Sequence, residues 1–174
     1  MSARQIIVYI TSFLLFIGSQ VLFVRTLVFF DLAFCFVYTT FILLLPISTP
    51  RLLYMFIAFF TGFFVDMFYD TLGIHAAACV LMAYTRQFVF RALTPAGGYD
   101  DNQEININNL GIQWIVSYLL VMNLIHHLAL FLIEASSYSL IFQSLGKAIL
   151  SAIYTTLLSL LLLRLFNPSE RANA

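Results

Sequence analysis

The run Leu52-Leu-Tyr-Met-Phe-Ile-Ala-Phe-Phe-Thr-Gly62-Phe-Phe-Val-Asp66-Met-Phe-Tyr-Asp70 holds one interior charge, Asp66, among apolar, aromatic and small residues. A helix crossing the hydrocarbon core of a bilayer needs ~20 residues of this kind, so the run predicts a membrane-spanning helix. Stretches of the same character lie at roughly 5–24, 27–46, 74–93, 112–135 and 145–166, and with 52–70 they fill most of the 174-residue chain. Charged residues make up 9 % of it and the mean hydropathy is +0.97, too few charges to cover a soluble domain. A membrane barrel would show short alternating segments, and lone strands would leave backbone groups unpaired in lipid. The predicted fold is all-α: one integral membrane domain over 1–174, a compact bundle of six transmembrane helices.

The apolar run of the first stretch is too long for a cleaved leader, and no small-x-small site follows it before Arg25, so it reads as a signal anchor. With the N-terminus inside, the inner face receives Arg4, Arg51, Arg86, Arg91, Arg164 and Arg171, and the outer face only Arg25 and Lys147. That positive-inside bias predicts cytoplasmic termini. The formal net charge of zero offers nothing to nucleic acid. Most connections are short, which predicts antiparallel neighbours. The segment 94–111, polar and carrying Asp100, Asp101 and Glu104, is the one sizeable cytoplasmic loop, and a short tail follows Asn167. Cys35 and Cys79 lack metal-ligand spacing and read as packing residues. Small residues at helical spacing (Ser144, Ala148, Ser151, Thr155 and Ser159 in the last stretch, Ala76, Ala77 and Ala83 in the fourth) read as close helix-packing faces.

Ionisable groups inside a membrane are expensive and mark function or fold. Gly62, Asp66, Tyr69, Asp70 and Gly73 recur on one helical face, and a rise of ~1.5 Å per residue from Arg51 puts Asp66 in the outer third of the bilayer. His75 opens the next stretch just past the turn. The fifth stretch adds Asn123, His126, His127 and Glu134 at the same level, and Gln20, Arg25, Asp31 and Lys147 join them. The candidate site is thus an outer polar cluster of Asp66, Asp70, Gly73, His75, His126, His127 and Glu134. Three uses are open to it: Asp66 pairs with a histidine or caps the turn and holds the hairpin closed; the cluster receives a partner helix or small ligand; or Asp and His relay protons. Arg86 alone carries charge in the inner half of a stretch, too little for a path through both leaflets. His126 and His127 stand ~100° apart on a helix and cannot both face one ion. There is no G-x-S-x-G, neither cysteine has an evident base, and Asp66 and Asp70 share one helix. No catalytic residue, metal or cofactor is expected.

The run Gly62-Phe-Phe-Val-Asp66-Met-Phe-Tyr-Asp-Thr-Leu-Gly73-Ile-His75-Ala-Ala-Ala, continued by Ala83-Tyr84-Thr-Arg86 and Arg91, resembles the rod shape-determining MreD family. That family shows a Gly-x-x-x-Asp helix, a turn with Gly-x-His and an Ala-rich helix ending in basic residues. Size and six-stretch layout are similar over the whole chain, and the Gly97-Gly98-Tyr99-Asp100 and Leu124-Ile125-His126-His127 stretches look like members from Bacteroidota-like bacteria. The resemblance implies a multi-pass protein of the bacterial inner membrane, non-enzymatic, working with MreC, the MreB cytoskeleton, RodA and a penicillin-binding transpeptidase in lateral peptidoglycan synthesis. It also implies a fold similar to the S components of energy-coupling-factor transporters. Asp66, Gly73 and His75 match the family motif; Asp70, His126, His127 and Glu134 rest on depth alone.

A chain with almost no soluble part meets partners through spans, turns and one loop. MreC contact is expected at the outer ends of spans 3 to 6, alongside membrane lipid, and loop 94–111 is either a contact for MreB or a solvated connector. The alternative function is a small-molecule-binding S component of a vitamin transporter. The first stretch, however, lacks the Ala-x-x-x-Ala pattern with which such components dock. An ion-coupled carrier would place polar groups at every depth, whereas here they gather in one layer.

Overall fold

A computed structural model describes residues 3–95, 97–99, 105–135 and 140–166. Asp100, Asp101, Glu104, the tail from Asn167 and Arg171 lie outside the described residues. The helices are α1 (Ala3–Leu22), α2 (Tyr38–Leu43), α3 (Arg51–Tyr69), α4 (Ile74–Ala92), α5 (Ile107–Leu110), α6 (Ile112–Glu134) and α7 (Ile141–Phe166), with a 3-10 turn at Val24–Thr26. Four helical segments, Ile6–Thr26, Arg51–Tyr69, Ile112–Glu134 and Ile141–Leu165, are long and apolar enough to cross a membrane. Helix α4 matches α3 at 19 residues but is less apolar, because it carries His75, Arg86, Gln87 and Arg91. It packs against α3 on one side and α6 on the other, α6 packs on α7, and α1 leans on α2 and α3.

The stretch 27–46, expected to be the second spanning helix, is not one. Val28–Phe29 (β1) and Ala33–Phe34 (β2) form a two-stranded antiparallel hairpin with Val28 opposite Phe34 and Phe29 opposite Ala33. The chain then runs extended to the six-residue α2 and stops at Pro46. The local sequence explains the difference. From Val28 to Val37, Phe and Val, which favour strands over helices, make up six of the ten residues, and the chain turns helical only over Tyr38–Leu43. Non-helical backbone is tolerated at membrane depth only where protein surrounds it, and Cys35 to Leu43 are all buried. This segment forms the centre of the core, with Tyr38, Ile42 and Leu43 packed among Tyr54, Met82, Ile115, Tyr118, Leu119 and Met122.

Helices α3 and α4 meet at a four-residue connection, Asp70–Gly73, where Asp70 (φ 55°) and Gly73 (φ 88°) are left-handed. Farther down, Gly62 touches the first turn of α4. A Cβ at Gly62 would lie 2.6 Å from both the Ala76 Cα and the His75 carbonyl oxygen, closer than atoms can stand. Around Gly18 on α1, by contrast, the same atom would meet nothing within 4 Å. Gly62→Ala should therefore push α4 off α3 and destabilise the protein by about 1–3 kcal/mol. Gly18→Ala should leave it unchanged or slightly more stable. Melting temperatures of the two variants in one detergent check this; equal values would show that the helices do not meet at Gly62.

Candidate functional site

The extended segment brings backbone N–H and C=O groups into the middle of the bundle, and each needs a partner there. Helix α7 provides two. The Ser151 hydroxyl oxygen accepts from the Phe34 N–H at 2.8 Å, and the Thr155 hydroxyl oxygen accepts from the Phe36 N–H at 3.1 Å. The spacing works because four residues of helix advance about 6 Å and two residues of strand about 6.6 Å. From α1, Gln20 donates to the Cys35 carbonyl at 3.0 Å and to the Tyr69 hydroxyl at 2.8 Å, and its own oxygen accepts from the Tyr38 N–H at 3.4 Å. The stripe expected to serve only close packing is thus also a hydrogen-bonding edge.

At the end of the bundle that carries the α3–α4 turn, Asp66 is buried and its carboxylate is fully engaged. Oδ1 accepts from the Thr71 hydroxyl at 2.6 Å and the His75 N–H at 3.0 Å, and Oδ2 accepts from the Ala76 N–H at 2.9 Å. Gly73, the residue at the N-cap of α4, has no side chain to offer. Asp66 supplies that cap from the preceding helix, with its negative charge at the positive end of the α4 dipole. The carboxylate therefore caps backbone, and the His75 ring looks to another partner.

That partner is Tyr38, a fully buried residue of α2 that sequence reasoning did not single out. Its hydroxyl lies 2.9 Å from His75 Nδ1 and 2.8 Å from His126 Nε2. A phenol donates only once, so one ring accepts from it and the other donates to it. His126 Nδ1 is buried without a partner. A buried bare lone pair is cheaper than a buried unpaired N–H, which places the His126 proton on Nε2, donating to Tyr38, and directs the Tyr38 proton to His75 Nδ1. His75 then carries its proton on Nε2. His127 points elsewhere: Nδ1–H donates to the Asn123 carbonyl at 2.6 Å, and Nε2 accepts from the Thr155 hydroxyl at 3.2 Å. Asn123 in turn accepts from Thr39 at 2.9 Å and donates to Thr156 at 3.1 Å.

At the opposite end of the buried segment stands Arg86. Its Nη2 donates to the Leu45 carbonyl and its Nε to the Tyr118 hydroxyl at 3.1 Å, and Tyr118 donates onward to the Leu43 carbonyl at 3.1 Å. The guanidinium lies 4.1 Å from the Tyr54 ring centre and 4.6 Å from that of Phe90. A cation thus caps the carbonyl end of α2, where the helix dipole is negative.

The predicted cluster divides accordingly. Asp66, His75, His126 and His127 are buried, three of them gathered around the ends of the extended segment and Asp66 at the turn. Gly73 shapes the turn, and Asp70 and Glu134 are exposed. His75 and Glu134 meet again at a cavity of about 260 Å³. Its floor is Cys35, Phe36 and His75, its walls are the β1–β2 hairpin and α6, and Arg25, Glu134 and Lys147 border it. Among the described residues no three His, Cys, Asp or Glu side chains come together in a way that could hold a metal. No family model, curated protein or solved structure matches the chain.

Thr155 serves two buried partners at once, so Thr155→Val, nearly the same shape, should leave the Phe36 N–H and His127 Nε2 unpaired. The expected loss is about 1–3 kcal/mol for each stranded group. Thr85→Val removes a hydroxyl that only back-bonds to its own helix and should change little. Chemical unfolding in detergent micelles distinguishes them, and a Thr155→Val protein as stable as the parent would mean these bonds are not made.

Proposed function

We propose that the chain is a non-enzymatic membrane scaffold of the bacterial wall-elongation machinery, of the MreD kind. It sits in the inner membrane with both termini cytoplasmic. In this reading it binds MreC and links the MreB cytoskeleton to RodA and its penicillin-binding transpeptidase. The observation that carries the reading is what the motif residues do. Gly62 permits the contact of α3 with α4, Asp66 caps α4, Gly73 makes the turn, and the His75 ring ties it to Tyr38. The residues behind the resemblance thus form one connected structural unit, as a family signature maintained for architecture would.

A second consideration supports a binding role over chemistry. Asp66, His126, His127 and Arg86 are buried and directed at the protein's own backbone, or at groups that hold it. On the proposed topology the α3–α4 turn faces outward, so MreC is met there, at the outer ends of α3, α4, α6 and α7. The exposed Phe56, Phe59, Phe60, Phe63, Met67 and Phe68 side of α3 is left to lipid or to a partner's membrane helix.

Tagged protein purified from its own host in mild detergent should bring MreC and the wall synthases with it, identified by mass spectrometry. Recovery of an ATPase module or a tightly held small molecule instead would replace this reading with the transporter S component. In cells, Asp66→Ala should abolish that recovery and the rod shape while Asp100→Ala changes neither. Because the lost cap itself costs about 1–2 kcal/mol, membrane levels of the variant are measured alongside. Normal shape and normal recovery with Asp66→Ala would sink the proposal.

A further inference from the structure

We propose that the cavity beside the α3–α4 turn binds a phosphate group, carried on a membrane lipid. Three donor groups from separate parts of the chain converge on it. Arg25, just after α1, lies 4.8 Å from the Tyr69 ring centre and gives one N–H to the Phe68 carbonyl at 2.9 Å, which fixes its guanidinium at the rim with other N–H groups to offer. Lys147 of α7 lies 5.5 Å from the Phe34 ring centre, and among the described residues its ammonium has no hydrogen-bond partner. On the floor is His75, only 3 % exposed. Its Nδ1 is held by Tyr38, while Nε2, which bears the proton in the arrangement derived above, has no hydrogen-bond partner among the described residues, and the residue lines the cavity.

The one carboxylate at the rim, Glu134, already has a partner. Among the described residues, two cations and an N–H donor thus line the space against one carboxylate, Glu134. A phosphate, with several acceptor oxygens, is suited to donors arriving from different directions. The volume of about 260 Å³ falls just below the range of drug-sized pockets, room for a headgroup but not for a whole amphiphile. Leu27, Val28, Phe34 and Leu130 line the same space, and Leu27, Phe29 and Leu32 are exposed around the hairpin, an apolar surface for the chain of a lipid. Basic pockets between membrane helices hold lipid head groups on the cytoplasmic side of other proteins, and the pairing of cation with phosphate is the same chemistry on the outer face. Neither Arg25 nor Lys147 belongs to the motif behind the scaffold proposal, so the site can fail while the scaffold stands, and the reverse.

Native mass spectrometry of the full chain, released from detergent, reads the outcome with three probes: dioleoylphosphatidylglycerol, dioleoylglycerol and inorganic phosphate. Phosphatidylglycerol should be retained and dioleoylglycerol, which lacks the phosphate, should not. The double variant Arg25→Gln/Lys147→Gln should hold phosphatidylglycerol about tenfold more weakly or worse. Arg164→Gln, which removes a cation near the far end of α7, should hold it as the parent does. A double variant that retains phosphatidylglycerol like the parent, equal retention of dioleoylglycerol, or an equal loss in Arg164→Gln would overturn the site. Inorganic phosphate bound through Arg25 and Lys147 with no retention of phosphatidylglycerol would support the phosphate chemistry and overturn the lipid as its source. A melting temperature near the parent's for the double variant shows that a loss is not unfolding.

Discussion

Everything in this fold answers to the pairing of backbone groups on a non-helical segment buried in a membrane bundle. A helix pairs its own N–H and C=O groups; an extended chain does not, and in hydrocarbon each unpaired group costs several kcal/mol. Phe34, Phe36 and Tyr38 offer N–H groups that Ser151, Thr155 and Gln20 accept, and the Cys35 carbonyl accepts from Gln20. The carbonyls of Leu43, Leu45 and Pro46 at the other end take Tyr118 and Arg86. Helices from both ends of the sequence thus converge on one central strand. Removing any of these polar partners leaves the segment unpaired where no water reaches it, so the helices are bound to one another through the segment as much as by direct packing.

The turn between α3 and α4 depends on the same logic at smaller scale. A helix start exposes N–H groups with no intrahelical partner, and the left-handed Gly73 needed to reverse the chain so tightly cannot cap them. A carboxylate one helix earlier can, provided the two helices lie close. The bare backbone of Gly62 allows that approach, one turn below Asp66 on the same face. Glycine and aspartate four residues apart are thereby one device: the first sets the separation and the second fills it with charge.

Apolarity is legible in the sequence and conformation is less so. Helices α1, α3, α6 and α7 show themselves by length and hydropathy, and α4 by length alone, its hydropathy lowered by His75, Arg86, Gln87 and Arg91. The stretch 27–46 defeats the same reasoning because an apolar run of bilayer length scores identically whether helical or extended. The signal was there in the aromatic and β-branched residues from Val28 to Thr40 and in Asp31 at the hairpin tip. Ser151 and Thr155 were visible as a small-residue stripe, but their hydroxyls acquire a purpose only beside a strand. Tyr38 escaped notice because a neutral phenol among nine tyrosines has no marker of burial. Its role arises from His75 and His126, residues far apart in sequence.

The placement of polar groups also bears on what sort of membrane protein this is. A proton or ion path needs polar side chains at successive depths, lining a route between the two faces. Here they follow the backbone instead. One set gathers where the extended chain passes into α2, around Tyr38, His127, Gln20 and Asn123, and the other where α2 ends, at Arg86 and Tyr118. Between the two, Phe41, Ile42 and Leu43 are buried and apolar, in a stretch where α2 pairs its own backbone and needs no help. Most of these polar residues hold the extended backbone, the first turn of α2 or its carbonyl end, and are distributed by the demands of folding. The cavity with Arg25 and Lys147 departs from that rule: Arg25 spends one N–H on the Phe68 carbonyl, and both cations border open space at the end of the bundle and not the buried segment.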